Sequence, residues 1–333
     1  MPKASRLKNG KGFALILTLL MISMMVVVTL QFNRSVWSGL YGSSNLKEAT
    51  RLRLVARSGV ECAMLVLAED KEQNDVDTLR EPWAQSRELS LQSTALFEKA
   101  HFMVGISDLC GKIQINQLLD DKGDWRPAQR DLFQRFLLSK GFALDSDGVS
   151  NLMDFIKDWL DPDDETTRFG AESGYYRSLE PPYACKNGPL ASLDRLTLIR
   201  GMNEELVYGT PEKKGIMPYL SVHGDGKINI NTAGPVVLQA LSAEMDEEMV
   251  RDMIAYREDP TNDLADPKWY QKVRGMDHIV FDADLLSTGS DYFEIRSTGV
   301  MGKMEQHLGV SVFREPGKPA QILQWKAGPE DTN

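Results

Sequence analysis

FALILTLLMISMMVVVTLQF, residues 13–32, carries no charged side chain. Twenty such residues at helical rise span about 30 Å, the thickness of a bilayer's hydrocarbon core. The preceding stretch, MPKASRLKNGKG, holds Lys3, Arg6, Lys8 and Lys11 and no acid. Positive charge beside a first span stays in the cytoplasm, which predicts a single-pass helix with its N-terminus inside. The bulk of the chain then lies across the membrane. A cleaved secretory signal fits poorly, because the apolar core is long and ends in Gln31-Phe32-Asn33-Arg34 with no Ala-x-Ala pattern. A plain signal anchor remains the simplest alternative.

The residues around the start of the span favour a third reading. Lys11-Gly12-Phe13-Ala14-Leu15-Ile16, a basic leader ending in Gly followed at once by Phe and an apolar run, resembles the type IV pilin and pseudopilin signal. That resemblance implies cleavage by a prepilin peptidase between Gly12 and Phe13, N-methylation of the new terminus, and retention of the apolar segment. The sequence beyond the span agrees. Residues 40–69 contain no Pro, and Leu46, Leu52, Val55, Val60, Met64 and Leu67 recur at helical spacing between Lys47, Glu48, Arg51, Arg53 and Arg57. A single helix running from the membrane into the body is expected. Leu17 stands at position five of the mature chain, where most of the resembled family has Glu. A carboxylate in the bilayer is costly unless paired. Its absence suits a subunit at the end of a fibre rather than in its shaft.

The chain has 333 residues, with 38 Lys+Arg against 48 Asp+Glu and a formal net charge of -10. Its composition, 42% hydrophobic and 26% charged, excludes a wholly disordered or low-complexity chain. The acidic balance argues against a general nucleic-acid binder. Further along, His101–Cys110 and Gly111–Asn116 read as strands, 127–160 as helices, and 189–201 as a helix stopped by Gly201. Residues 235–258 read as a helical pair, and 291–300 with 307–313 as antiparallel strands. The order predicts an α+β domain with an α-helical insert. Gly111-Lys-Ile-Gln-Ile-Asn116 is echoed by Gly226-Lys-Ile-Asn-Ile-Asn231, which suggests two similar entries bracketing the helical block.

Several segments together resemble the K-type minor pseudopilin of type II secretion systems. They are the signal without its fifth-position Glu, Asp158-Trp-Leu-Asp-Pro-Asp-Asp-Glu165, Gly170-Ala-Glu172, Tyr175-Tyr176, Pro181-Pro-Tyr183, Lys186-Asn-Gly-Pro-Leu190, Leu198-Ile-Arg-Gly-Met202 and Gly226-Lys-Ile-Asn-Ile-Asn-Thr-Ala233. The resemblance covers residues 10–312. It implies a type IV pilin-like fold, a long N-terminal helix on an antiparallel sheet, with a large helical domain inserted. The expected parts are a leader over 1–12, the long helix over 13–69, a pilin-like domain from 70–116 and 277–313, an insert over 117–276 and a flexible tail over 314–333. It also implies a place at the tip of a periplasmic pseudopilus in the inner membrane, with minor pseudopilins I and J as partners. Secreted cargo and the outer-membrane secretin are further candidates.

Asp161-Pro-Asp-Asp-Glu-Thr-Thr-Arg-Phe-Gly-Ala-Glu172 places Asp161, Asp163 and Glu165 in alternation and Glu172 at a twelfth position, as in a calcium loop. Thr166 replaces the Gly of a standard EF-hand. Carboxylates this dense, Asp164 among them, repel one another unless a hard cation neutralises them. The bland alternative is a solvated acidic loop. The K-type resemblance also implies calcium in the helical insert. Cys110 and Cys185 either pair in the oxidising compartment or stay as free buried thiols; the sequence leaves both open.

Two other classes find little support. Asn229–Ala233 with Ile254–Glu258 is similar to a helix-hairpin-helix module, but its turn, Ala243-Glu-Met-Asp-Glu-Glu248, lacks Gly and carries four acids where phosphate would sit. No His-Glu-x-x-His, Gly-x-Ser-x-Gly or Gly-Lys-Ser/Thr motif is present, and the four His are dispersed, so no enzyme is expected. A type IV pilus minor pilin and a membrane-anchored DNA-binding protein remain the alternatives.

Overall fold

A computed structural model describes residues 10–326. Residues 1–9 of the expected leader, with Lys3, Arg6 and Lys8, and residues 327–333 of the expected tail lie outside the described residues. The apolar span and the amphipathic stretch after it form one helix, α1 (Gly10–Gln73), of 64 residues. It starts three residues before, and ends four after, the range read from sequence. Its membrane half touches nothing. Its distal half buries Leu52, Val55, Ala56, Val60, Ala63 and Leu67. These lie three or four residues apart and form one face. Leu46, in the same expected stripe, is exposed because it precedes the first contact with the body.

A short helix, α2 (Arg87–Gln92), leads to strand β1 (His101–Asp108). After β2 (Ile113–Gln114) comes the insert: α3 (Pro127–Leu137), α4 (Ser146–Leu160), α5 (Ser173–Tyr176) and α6 (Glu204–Tyr208). It continues through β3 (Leu220–Ser221), β4 (Ile228–Asn229), α7 (Pro235–Ala240), α8 (Glu247–Glu258) and β5 (Leu286–Ser287). The chain then returns as β6 (Tyr292–Met301), β7 (Met304–Phe313) and β8 (Gln321–Lys326). The main sheet has the order β1-β6-β7-β8 and is antiparallel throughout.

The long helix lies on this sheet. Phe102, Phe293, Ile295, Val310 and Val312 meet the α1 face in one core with Trp83. Each such side chain contributes about 1.5–3 kcal/mol on burial. Contact is close where two glycines face each other's elements. A Cβ on Gly299 would stand 2.2 Å from the Leu52 carbonyl oxygen, and one on Gly59 would meet Ser297 and Phe102. Backbone cannot yield as a flexible side chain can. Gly299→Ala should therefore lower stability by about 1–3 kcal/mol in urea unfolding, whereas Gly105→Ala, with open space around it, should change it little.

A second core, from Ile113 to Leu286, belongs to the helical insert. It starts four residues earlier and ends ten later than the insert boundaries read from sequence, because β2, β3, β4 and β5 build its frame. The echoed hexapeptides are parts of this frame. Each yields only a two-residue strand, and these pair in parallel with β3 and β5 rather than joining the main sheet. Two further expectations need correction. Residues 189–201 form a 3₁₀ turn, Leu193–Leu198, not an α-helix. The Asn116 side chain bonds both the N–H and the carbonyl of Leu190, holding the start of the segment extended. The stretch from 314 is no loose tail: after the Glu315–Lys318 turn, β8 pairs with β7. Its three prolines all lie outside β8, so they do not block its ladder.

The two cores meet at a buried polar joint. Arg314, 1% exposed, donates to Asp70 Oδ2 at 2.8 Å, to Asp77, to the Leu67 carbonyl at 3.0 Å and to the Ser290 carbonyl. Its guanidinium also lies over the Phe293 ring. Asp108 accepts from Ser290 Oγ at 2.6 Å, from Asn229 and from Thr232. The end of α1, the linker, the main sheet and the insert are thus fastened at one place.

Candidate functional site

The membrane half of α1 is apolar enough to cross a bilayer, with a mean hydropathy of 2.7 over its best 18 residues and none of that window buried. Its hydroxyls are satisfied internally: Thr18, Ser23 and Thr29 donate to the carbonyls of Leu15, Leu20 and Met25. This is the arrangement a spanning helix requires in lipid. Arg34, Trp37 and Tyr41 follow, the two rings 5.9 Å apart, where an interfacial belt belongs. Gly12 and Phe13 lie near the start of α1, and Leu17 is exposed on its surface.

The second site is the acidic loop. Helix α4 begins on the Asp145 cap, whose carboxylate accepts from Gly148 N–H, and buries Leu152, Ile156 and Trp159. It stops because Pro162 disfavours the helical conformation for Asp161, which turns extended at φ -72° and ψ 161°. Asp158 and Asp161, one turn apart, then face the same side. The loop returns through Glu172, the residue before α5. Asp158, Asp161 and Glu172 converge, with one carboxylate oxygen from each within 4.8 Å of the others. They are 0%, 1% and 4% exposed.

Their surroundings leave most of this charge without a donor. Asp158 accepts from Thr167 N–H at 3.0 Å. Both oxygens of Asp161 and both of Glu172 are buried with no hydrogen-bond partner. The Lys157 ammonium stands 3.5 Å from Asp161 and donates instead to Thr167 Oγ1. Burial first, then the charges of Asp158, Asp161 and Asp164, push the Glu172 carboxyl up to about 8. Burial and then the Asp163 charge push Asp161 up to about 6. Gly170 makes room for the cluster, since a Cβ there would fall 1.9 Å from Asp158 Oδ2. Four orphaned buried carboxylate oxygens in an all-oxygen cradle fit a hard divalent cation better than any protein partner in reach.

The residues expected as ligands divide. Asp161 and Glu172 are central. Asp164 is exposed and accepts from Ser173 N–H at 3.2 Å, which locks the loop beside Glu172; the Ser173 hydroxyl, then its N–H, holds the Asp164 carboxyl below the usual range. Asp163 and Glu165 point to solvent; Asp163 caps the Glu165 N–H at 2.8 Å. Asp158 was missed, although its spacing one turn before Asp161 was available. No Cys110–Cys185 bridge exists: both are free and buried. Cys110 sits at the joint, its N–H on Asp108, whereas Cys185 donates to the Asp158 carbonyl behind the acidic cluster. Burial pushes the Cys185 thiol up to about 12. In the helix-hairpin-helix-like segment, Asp246 itself accepts from the N–H groups of Glu248 and Met249, occupying the place a phosphate would take.

Comparison with known proteins falls on the same region. Residues 111–211, which contain the acidic loop, match the family model described as type II secretion system (T2SS), protein K. Type II secretion system protein K of Aeromonas hydrophila is 26% identical over 96% of this chain and 98% of its own length. That of Klebsiella pneumoniae is 23% identical over 72% of this chain and 71% of its own. Among solved structures, a chain of the GspK-GspI-GspJ complex from the enterotoxigenic Escherichia coli type 2 secretion system superposes with a TM-score of 0.69. The two share 17% identity, and the match covers 86% of this chain and 99% of that one. In sequence over nearly its whole length, and in fold, the chain is similar to type II secretion system protein K.

Proposed function

We propose that the chain is a minor pseudopilin that caps the tip of a periplasmic pseudopilus and helps start its assembly, supporting protein export across the outer membrane. The observation that carries this is α1 itself, one uninterrupted helix from an uncharged span into a body made broad by its insert. The span stores the subunit in the inner membrane, N-terminus inside, until it is extracted. Leu17 withholds a charge pair from one neighbour, and the insert is too bulky to repeat along a shaft. Both favour a position at an end. Likeness to a chain of a complex with GspI and GspJ supports partners of those two kinds. The role is assembly rather than catalysis.

Asp158, Asp161 and Glu172, with Asp164 beside them, would hold Ca²⁺. The ion supplies the positive charge these buried carboxylates lack and so fixes the loop between α4 and α5.

The test is the intact mass and N-terminal peptide of the membrane-extracted protein, made with and without prepilin peptidase. A mature chain starting at N-methylated Phe13, captured with I- and J-type pseudopilins, is expected. A chain still beginning at Met1 or Pro2 would leave a plain anchor and remove the tip assignment. Correct processing with capture by pilus subunits alone would instead make it a type IV minor pilin.

A further inference from the structure

A cleft of about 670 Å³ opens between the main sheet and the helical insert, away from the acidic loop. Its charge runs against that of the chain. On the sheet side, Glu294 is gripped by Lys326 Nζ at 2.9 Å and by Arg296 at 3.1 Å, so one acid already answers two cations. Lys112, from the turn joining β1 to β2, adds a third cation and forms no ion pair among the described residues. Burial pushes its ammonium below the usual lysine range, with Glu294 only partly restoring it. From the insert side comes His223, which burial pushes below the usual histidine range and which has the Gln324 side chain beside its ring. Leu193 and Met217 give the same cleft an apolar wall. A surplus of positive charge is thus held in a partly desolvated pocket of a chain whose net charge is -10.

We propose that this cleft binds an acidic segment of a partner polypeptide, one carboxylate of which ion-pairs with Lys112. A carboxylate there supplies the counter-charge that Lys112 lacks, and Arg296 and Lys326, which share the single acid Glu294, leave one further positive charge for a second acid. The size suits a few residues of extended peptide, with aliphatic side chains against Leu193 and Met217. Glu294 inside the cleft disfavours a doubly charged phosphate. The proposal rests on the cleft alone and stands whether or not the chain caps a fibre.

The test uses the full chain in detergent and fluorescence anisotropy of labelled hexaglutamate, with hexaglutamine as the uncharged control. Hexaglutamate should bind at least about tenfold tighter than hexaglutamine, and Lys112→Met should remove about that factor. Glu294→Gln should tighten binding. The melting temperature of Lys112→Met should hold or rise, since an unpaired buried charge is removed, so lost binding would not reflect misfolding. Lys268→Met, outside the cleft, should leave binding unchanged. Equal binding of the two peptides, unchanged binding by Lys112→Met, or displacement by inorganic phosphate at the peptide's own concentration would overturn the proposal.

Discussion

Arg314→Met should destabilise the body by about 3–5 kcal/mol, because removing one partner of a buried ion pair strands the other's charge. Here two partners are stranded. Asp70 and Asp77 both face the guanidinium, and Asp77 is already pushed up to about 7 by burial. Arg314→Lys should fail nearly as badly. A single ammonium cannot reach two carboxylates and two backbone carbonyls in one plane. Chemical unfolding followed by tryptophan fluorescence would report the loss, since Trp83 lies in the adjoining core. Adding Asp77→Asn to Arg314→Met should recover part of it. If the double variant were no more stable than the single, the cost would come from packing against Phe293 and not from the stranded charge.

On the calcium site proposed for the acidic loop, chelation should produce the second large effect, and its sign with pH is specific. A ligand at about a thousand times its dissociation constant stabilises by about 4 kcal/mol. In excess chelator the insert should lose that and melt earlier. In the metal-free protein, Glu172 and Asp161 have folded-state values of about 8 and 6, above those of ordinary carboxyls. The folded state then binds protons that the unfolded chain releases. Stability is present in full below the unfolded values near 4, and is lost as pH rises through 6 and then 8. With calcium the trend reverses over the same range, because the ion needs ionised ligands. Scanning calorimetry from pH 5 to 8.5, with and without calcium, separates the two curves. Glu172→Gln combined with Asp161→Asn should abolish the calcium response and raise the melting temperature in chelator. A calcium-independent melting curve for the parent protein would exclude the ion.

Where local chemistry decides structure, the residues told their own story. The uncharged span, the helically spaced apolar stripe of α1 from Leu52 on and the alternating strands β6 and β7 were all legible from period and charge. The limits of the acidic loop were set by Pro162 and could be read too. What failed depended on distant partners. The 193–198 turn looked helical because nothing in its own sequence announces that Asn116, 74 residues away, fixes Leu190. β8 was hidden because its neighbours in sequence are prolines, whereas its neighbour in space is β7. The acidic cluster was half legible for the same reason. Alternation along the loop suggested Asp163 and Glu165, but burial chose Asp158, which sits on a helix and was not counted as part of a loop. Arg314 gave no signal at all, since a lone arginine among prolines acquires meaning only from Asp70 and Asp77.

The exposed stretch of α1 from Arg34 to Lys47 would also act as a drive shaft. At 1.5 Å per residue it would hold the body about 20 Å from the membrane surface. Because the helix is continuous, it ties the bearing of the body to the bearing of the span. One residue inserted there would turn the cleft and the acidic loop by about 100° relative to everything in the bilayer, whereas seven would restore their heading to within about 20°. The shaft is weakest at Gly39 and Gly42, each about 1 kcal/mol poorer than Ala in a helix. Any twist applied by neighbours in the membrane would reach the body through those two residues.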